Sequence, residues 1–252
     1  MSTLRFRVLT YNIHKAIGVD RRFDPQRIAD VIAHHDADIV LLQEVDRRPP
    51  RTGGPDLASH ICRLLNYPYR ASSMNVHRRT WQYGNATLSR FPMGRTRNID
   101  LTLRWRKRRG AQHTRLHLPL GARDLPLDVF NVHLGLSAGE RQHQVARLLA
   151  SPDIQNLDPA AACLIAGDMN DWRGLLRKSL FLPSGFSCAT THGNGSAWSI
   201  RTFPSFAPTG GLDKIFYRGE IQLIGAHPSR LRIARVASDH LPVMADFEIQ
   251  IR

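Results

Sequence analysis

Only three cysteines occur in the 252 residues, Cys62, Cys163 and Cys188. An odd number without metal-ligand spacing argues against a disulfide framework and against a structural zinc site. Long apolar runs are missing too. No stretch approaches the ~18 residues of a membrane span, and the opening "MSTLRFRVLTYN" alternates polar with apolar residues where a signal peptide would be continuously apolar. The expectation is a cytoplasmic protein with free thiols. Acidic residues are also scarce, 21 against 35 Lys plus Arg, a net charge of +14. That balance suits polyanionic partners, nucleic acid or an anionic membrane surface. Arg greatly outnumbers Lys, so a general arginine bias explains the charge equally well.

Hydrophobic residues make up 42% of the chain, enough for a sizeable core. No Ser/Gly-rich linker or low-complexity segment divides it, so residues 1–252 read as a single domain, expected to be a monomer. Residues 4–11 read as a strand. "DPQRIADVIAHH" reads as a helix capped by Asp24, with Pro25 at its first position and Ile28, Val31, Ile32 and His35 on one face. "ADIVLLQEV" and "AACLIAGD" are near-continuous apolar runs, the pattern of strands covered on both sides. Helices are expected at 57–65 and about 138–149. Strands are expected at "YGNATLSRF", "IDLTLRW", "TRLHLPL" and "LPLDVFNVHL", and three more after Gly210.

A weak internal repeat accompanies this pattern. "TYNIHKAIG" and "VFNVHLGLS" each end a strand with aromatic-Asn-x-His, and each is followed by a helix and a buried strand ending in an acid, Glu44 or Asp168. Two strand–helix–strand halves of this kind put both acids at strand ends, where sites of α/β sheets lie.

Polar residues recur at such ends: Asn12, Glu44, Asn131, His133, Asp168, Asn170, Asp213, Asp239 and His240. Singly, each is ordinary turn or cap chemistry. Together they are rich in carboxylate and imidazole and hold no thiolate. Hard oxygen ligands of this type suit Mg2+ or Mn2+ better than zinc, and such ions commonly act on phosphate esters.

The segments "TYNIHKAIG", "DIVLLQEVD", "YGNATLSRFP", "FNVHLGLS", "IAGDMNDW", "GLDKIF" and "SDHLPVMADF", in this order, resemble the endonuclease/exonuclease/phosphatase (DNase I-like) superfamily. With "GERQHQ" and "RTFPS", the chain is similar to its small bacterial stand-alone branch of metal-dependent hydrolases. The resemblance implies an α/β fold, a four-layer sandwich of two packed mixed sheets flanked by helices, and hydrolysis of phosphoesters with a divalent cation. It implies Glu44 as principal metal ligand, with Asn12 beside it and Asp239 completing the acidic pocket. Asp168 matches the aspartate that activates water, a role the resemblance leaves equally open to the His240–Asp213 pair, and Asn170 the residue that holds a phosphate oxygen. His240 matches the histidine on the scissile phosphate, oriented by Asp213. His133 matches a second histidine that protonates the leaving group. Dedicated abasic-site endonucleases usually lack that histidine, so a broader phosphodiesterase or phosphatase fits better than a repair enzyme.

Substrate choice is harder to read. Arg47, Arg48 and Arg51 follow Glu44 in "DRRPPRTGG" and could meet a polyanion, with Asn131 as a further substrate contact. "LRWRKRRG" packs five cations around Trp105 and reads first as a solvated loop, second as a phosphate-tracking patch. Trp81 and Tyr83 receive no assignment, Trp172 reads as packing, and His14 as a locally satisfied histidine. Three functions remain open: a phosphodiesterase with a nuclease-like site, a phospholipid or phosphoinositide phosphoesterase, and a catalytically silent module that binds polyanions.

Overall fold

The computed structural model describes residues 2–47, 56–79, 81–120, 123–191 and 199–251. Arg48 and Arg51 therefore lie outside the described residues, with most of the loop that follows Glu44. The first sheet and its helices come from β1 (Ser2–Asn12), α1 (Pro25–His35), β2 (Ile39–Arg47), α2 (Leu57–Leu65), β3 (Tyr69–His77) and β4 (Gln82–Ser89). The chain then crosses to β5 (Met93–Asp100), β6 (Gly110–Leu120), β7 (Arg123–His133), α3 (Ala138–Leu149), α4 (Pro152–Gln155), β8 (Cys163–Asp168), β9 (Ser187–Cys188) and β10 (Asp213–Arg218). It returns to the first sheet with β11 (Gln222–Pro228), α5 (Ala234–Ala237) and β12 (Val243–Ile251).

Two six-stranded sheets result, ordered β11-β12-β1-β2-β4-β3 and β5-β6-β7-β8-β10-β9. Each holds one parallel pair, β1 with β2 and β7 with β8, joined by α1 and α3 respectively. These pairs are the two halves seen in the sequence repeat. With α1 and α2 on one sheet and α3 on the other, the architecture is the expected four-layer α/β sandwich. Among the described residues no helix is long and apolar enough to cross a membrane.

Period-two alternation explains the layers. On β2, Val40 and Leu42 face α1 and α2, while Ile39 and Leu41 face the other sheet. The inter-sheet core is Phe6, Val8, Ile39 and Leu41 against Leu116, Leu127, Val129, Leu164 and Ile215. The helices stand where local chemistry starts them. Asp24, Asp56 and Ser137 each accept a hydrogen bond from the backbone N–H three residues on, at 3.2 Å.

Along the inward faces the character changes from one end of the sandwich to the other. On β1 the inward series runs Phe6, Val8, Thr10, Asn12; on β7, Leu127, Val129, Asn131, His133; on β8, Leu164, Ala166, Asp168. Apolar residues fill the base and polar ones the mouth. There the sheets are tied by Gln43, whose Nε2 donates to Thr10 Oγ1 at 3.2 Å and Asn131 Oδ1 at 2.8 Å, and by Thr87 Oγ1 donating to Gln112 Oε1 at 2.8 Å. These buried polar groups hold one another in place, although Gln43 Oε1 and Gln112 Nε2 stay without a partner.

The strand expected at "IDLTLRW" lies earlier in the chain than the sequence suggests, at Met93–Asp100. Asp100 Oδ1 accepts the Thr102 N–H at 2.9 Å, an Asx turn that ends β5 at Asp100 and releases 101–109 as a loop. The edge strand β3 was not anticipated, because its residues lack an apolar alternation.

Candidate active site

Six strand ends meet at the mouth. β1 and β2 run parallel and finish there, as do β7 and β8. β10 is antiparallel to β8 with Asp213 opposite Asp168, and β12 begins where β1 ends. This topology brings together Asn12, His133, Asp168, Asp213 and His240 from distant parts of the chain.

Asp168 is the hub. Its Oδ2 accepts from Asn12 Nδ2 at 3.0 Å and lies 3.4 Å from His133 Nε2 and 3.8 Å from His240 Nε2. Its Oδ1 accepts the backbone N–H of Asn170 at 2.9 Å. Gly167 makes this approach feasible. Its φ is +142°, and a Cβ there would stand 1.9 Å from the Val132 carbonyl oxygen, so only glycine lets β8 lie so close to β7. Burial raises the Asp168 carboxyl to about 6; the His240 charge opposes this and the Asp213 charge adds to it.

His240 has the opposite electrostatics. Burial alone would lower it, but the charge and hydrogen bond of Asp213, then the charges of Asp168 and Asp239, outweigh burial and carry it up to about 10. Its Nδ1 donates to Asp213 Oδ2 at 2.8 Å, which also accepts Thr202 Oγ1 at 2.5 Å. The His240 backbone N–H bonds Ser238 Oγ at 3.3 Å, and that hydroxyl donates to the Asn12 carbonyl at 2.7 Å. Phe203 tilts against the imidazole with ring centres 4.9 Å apart, and Trp172 meets Phe203 edge-on at 5.6 Å. Trp172, expected to pack, touches Phe203 at its edge but is 55% exposed.

His133 is held neutral, well below its ordinary value, by burial first and then by the charges of Arg109, His240 and Lys107. A histidine in that state cannot hand over the proton of an imidazolium at neutral pH, whereas its remaining N–H can still donate a hydrogen bond.

Glu44 sits in a bulge of β2 between Leu42 and Val45, with φ at +59°. The bulge turns its half-buried carboxylate away from the ladder and toward Tyr83. Burial, then the nearby Glu44 carboxylate, keep the Tyr83 phenol protonated far above its ordinary range. Lys107 and Lys15 lie over the same ring, 4.9 and 5.5 Å from its centre. Together with His77, Arg78, Trp81, Arg106 and Arg108 they line a cleft of about 530 Å³.

The donors expected for a hard cation are Glu44, Asp239 and the Asn12 amide. Asp239 is half-buried, and its Oδ1 receives Ser238 Oγ at 3.3 Å; Asn12 Oδ1 receives the His14 N–H at 3.1 Å. Two carboxylates and an amide oxygen form a donor set that fits Mg2+ or Mn2+. Asp168, Asp213 and His240 also bring ligand atoms within 4.8 Å of one another. Asp213 Oδ2 is already held by His240 and Thr202, while its Oδ1 is buried without a hydrogen-bond partner.

Asn131 and the arginines are placed differently from the other expected site residues. Asn131 pairs with Ala166, two residues short of the mouth. Its Nδ2 donates to the Leu42 and Ala86 carbonyls at 3.1 and 2.9 Å, and its Oδ1 takes Gln43. Both ends of the amide are spent between the sheets. Asn170 donates Nδ2 to the Leu134 carbonyl at 3.0 Å beside Asp168. Arg47 is exposed, 3.6 Å from Asp56. The sequence reading missed Arg109, buried between Tyr83 and His133. It was counted with the solvated cations, although its position directly before the β6 glycine was the available signal.

The model of the Endonuclease/Exonuclease/phosphatase family matches residues 9–240, and the chain belongs to that family. Its members generally use divalent metal ions, and membership supports a hydrolase of phosphoester, nuclease-like type. The Escherichia coli K12 protein YbhP is 32% identical over 253 residues, covering 97% of this chain and 96% of YbhP. Among solved structures, the endonuclease/exonuclease/phosphatase of Beutenbergia cavernae superposes with a TM-score of 0.77 at 22% identity, over 97% of this chain and 72% of its own. Truncated Caenorhabditis elegans TDP2 superposes with a TM-score of 0.69 at 19% identity, over 97% of each chain. At these identities the two structures speak for the fold.

Proposed function

We propose that the chain is a divalent-metal-dependent phosphoesterase that cleaves a phosphodiester of nucleic acid or another polyanion. The observation that carries this reading is one buried carboxylate, Asp168, lying beside two imidazoles of opposite protonation state, neutral His133 and cationic His240. Paired groups with pKa values pushed apart are a signature of acid–base work.

Asp168, with its carboxyl raised toward neutrality, is suited to accept a proton from the attacking water. His240, held cationic by Asp213, neutralises charge that builds on the phosphate oxygens. His133 donates a hydrogen bond to an oxygen of the ester, and the Asn170 amide adds a further donor beside it. Glu44, Asp239 and Asn12 would hold the metal. When bound, Mg2+ or Mn2+ supplies a Lewis acid at a phosphate oxygen. Arg47 and the cations around Tyr83 draw the polyanion toward the mouth.

The test is hydrolysis of bis-p-nitrophenyl phosphate, single- and double-stranded DNA, RNA and anionic lipid vesicles, with Mg2+, Mn2+ or EDTA. EDTA-sensitive cleavage lost in Glu44→Ala and His240→Gln is the expected result. Activity that survives both EDTA and Glu44→Ala overturns the metal assignment.

A further inference from the structure

The surface around the mouth has a composition that phosphoester chemistry does not require. Twelve large apolar side chains are exposed among the described residues, and seven of them stand on the loops and the short helix α5 that surround this one end of the sandwich. Leu136, 78% exposed, follows His133 on the turn into α3. Phe206, 63% exposed, is on the segment whose Ser205 N–H bonds the Asp239 carbonyl at 2.8 Å. Trp105, 96% exposed, tips the loop between β5 and β6. Trp172 follows β8. Val19 and Phe23 lie on the turn after β1, where the Val19 N–H bonds the Val236 carbonyl at 3.0 Å, and Val236 itself is exposed beside the Ser238–His240 segment.

Cations alternate with them in the same loops. Arg21 and Arg22 precede Phe23, Arg104 and Arg106 flank Trp105, Arg173 follows Trp172, and Arg235 precedes Val236; all are exposed. Of the acids beside these residues, Asp20 and Asp24 both pair with Arg27, at 2.9 and 3.1 Å, and Asp171 is buried. Cations serve a nucleic-acid backbone, and the four rings Phe23, Trp105, Trp172 and Phe206 are of the kind on which bases stack. Val19, Leu136 and Val236 have no such use, and aliphatic with aromatic side chains held in water beside arginine fit an interface of anionic headgroups over hydrocarbon.

We propose that the mouth end of the sandwich docks on an anionic lipid surface, the exposed apolar side chains entering the interface and the arginines meeting the headgroups. Resting on the phosphoesterase reading above, this makes the substrate a phosphoester presented at that surface, which reaches Asp168 and His240 with the mouth facing the lipid. Apolar contact and charge act together here, because neither a few side chains nor a few cations alone hold a protein on a bilayer.

The test is cosedimentation of the full chain with phosphatidylglycerol/phosphatidylcholine vesicles and with phosphatidylcholine vesicles. Wild type is compared with the triple variant Phe23→Ser, Leu136→Ser, Phe206→Ser. Wild type is expected to bind the anionic vesicles, and the triple variant to lose roughly tenfold or more in partition. Its binding to a single-stranded oligonucleotide and its hydrolysis of bis-p-nitrophenyl phosphate should be unchanged. Absence of wild-type vesicle binding, or equal binding by the variant, overturns the proposal. So does an equal loss on the oligonucleotide, which would make the face a nucleic-acid surface. If the triple variant melts early, Phe206→Ser alone gives the same readout. Variant-sensitive vesicle binding without hydrolysis of any ester supports the docking surface and removes the phosphoesterase reading, so the two failures are told apart.

Discussion

His240 Nδ1 lies 2.8 Å from Asp213 Oδ2, and Nε2 of the same ring lies 3.8 Å from Asp168 Oδ2, so one imidazole faces a carboxylate at each nitrogen. The two carboxylates differ in standing. Asp213 is buried behind the ring and fixed by Thr202, whereas Asp168, equally buried, lies at the end of β8 between both imidazoles and accepts from Asn12. Asp213 thus sets the charge and tautomer of His240, leaving Asp168 to exchange protons.

The pH profile follows from these two groups. Below about 6 Asp168 is protonated and cannot accept a proton, so activity rises as pH climbs through that value. His240 keeps its charge until pH approaches about 10, where activity falls. Asp213→Asn removes the largest charge that raises His240 and leaves burial opposed only by Asp168 and Asp239. We expect kcat to drop by roughly 10²–10³-fold and the alkaline limb to move to lower pH. An unmoved alkaline limb in a folded Asp213→Asn protein would refute the pairing.

Asp168→Asn separates activity from stability. Turnover should fall by about 10³-fold or more, because an amide cannot take a proton from water. A carboxyl whose pKa is raised by folding is a cost to the folded state at neutral pH. Thermal midpoints at neutral pH are therefore expected to stay level or rise. A large fall in Tm would mean that the Asn12 and Asn170 contacts hold the site together through the charge.

Asn131→Ala tests the residue whose sequence neighbourhood suggested substrate binding. Removing the amide leaves Gln43 and the carbonyls of Leu42 and Ala86 without partners inside the sandwich. A loss of about 2–4 kcal/mol is expected in urea denaturation, with KM of the folded fraction unchanged. A raised KM at unchanged stability would return Asn131 to the substrate.

The difference between Asn131 and His133 shows how far the sequence was legible. The repeat equated Asn12 with Asn131, and the strand–helix–strand halves it implied are present. Asn12 pairs with Gln43, one residue before Glu44, whereas Asn131 pairs with Ala166, two before Asp168. A pattern along one chain does not give this register, which arises from pairing across strands. The same limit hid Lys15, Tyr83, Lys107 and Arg109, which become a cluster only when the loop between β5 and β6 folds over β4. Buried strands and their polar ends were readable because alternation and apolar runs are local signals. The ending of β5 at Asp100 was not, because one side-chain turn outweighed an apolar pattern.

Metal binding should register without turnover. If Glu44 and Asp239 hold the ion, Mg2+ or Mn2+ binds the folded chain and not the unfolded one, and Tm rises with concentration. At 100 times the dissociation constant the gain is about 2.7 kcal/mol. Glu44→Ala should flatten that dependence in differential scanning calorimetry. A metal-dependent Tm of wild-type size in Glu44→Ala would place the ion elsewhere, with Asp168 and Asp213 the next donors to test.

His35 provides a pH dependence of stability independent of the mouth. It closes the buried face of α1, and its Nε2 lies 2.8 Å from Ser229 Oγ. Burial, then the charges of His34, His227 and Arg7, lower it to about 4. The unfolded chain takes up this proton near the ordinary histidine value, about 6.5, so falling pH favours the unfolded state. The stabilisation is complete above about 6.5 and is lost as pH falls toward about 4, a change of about 1–3 kcal/mol. His35→Leu keeps the side chain apolar and removes the proton uptake. Urea denaturation should show a shallower decline on acidification in His35→Leu than in wild type, even where the substitution lowers stability at neutral pH. Parallel declines in the two proteins would mean that His35 is protonated in the folded state as readily as in the unfolded one.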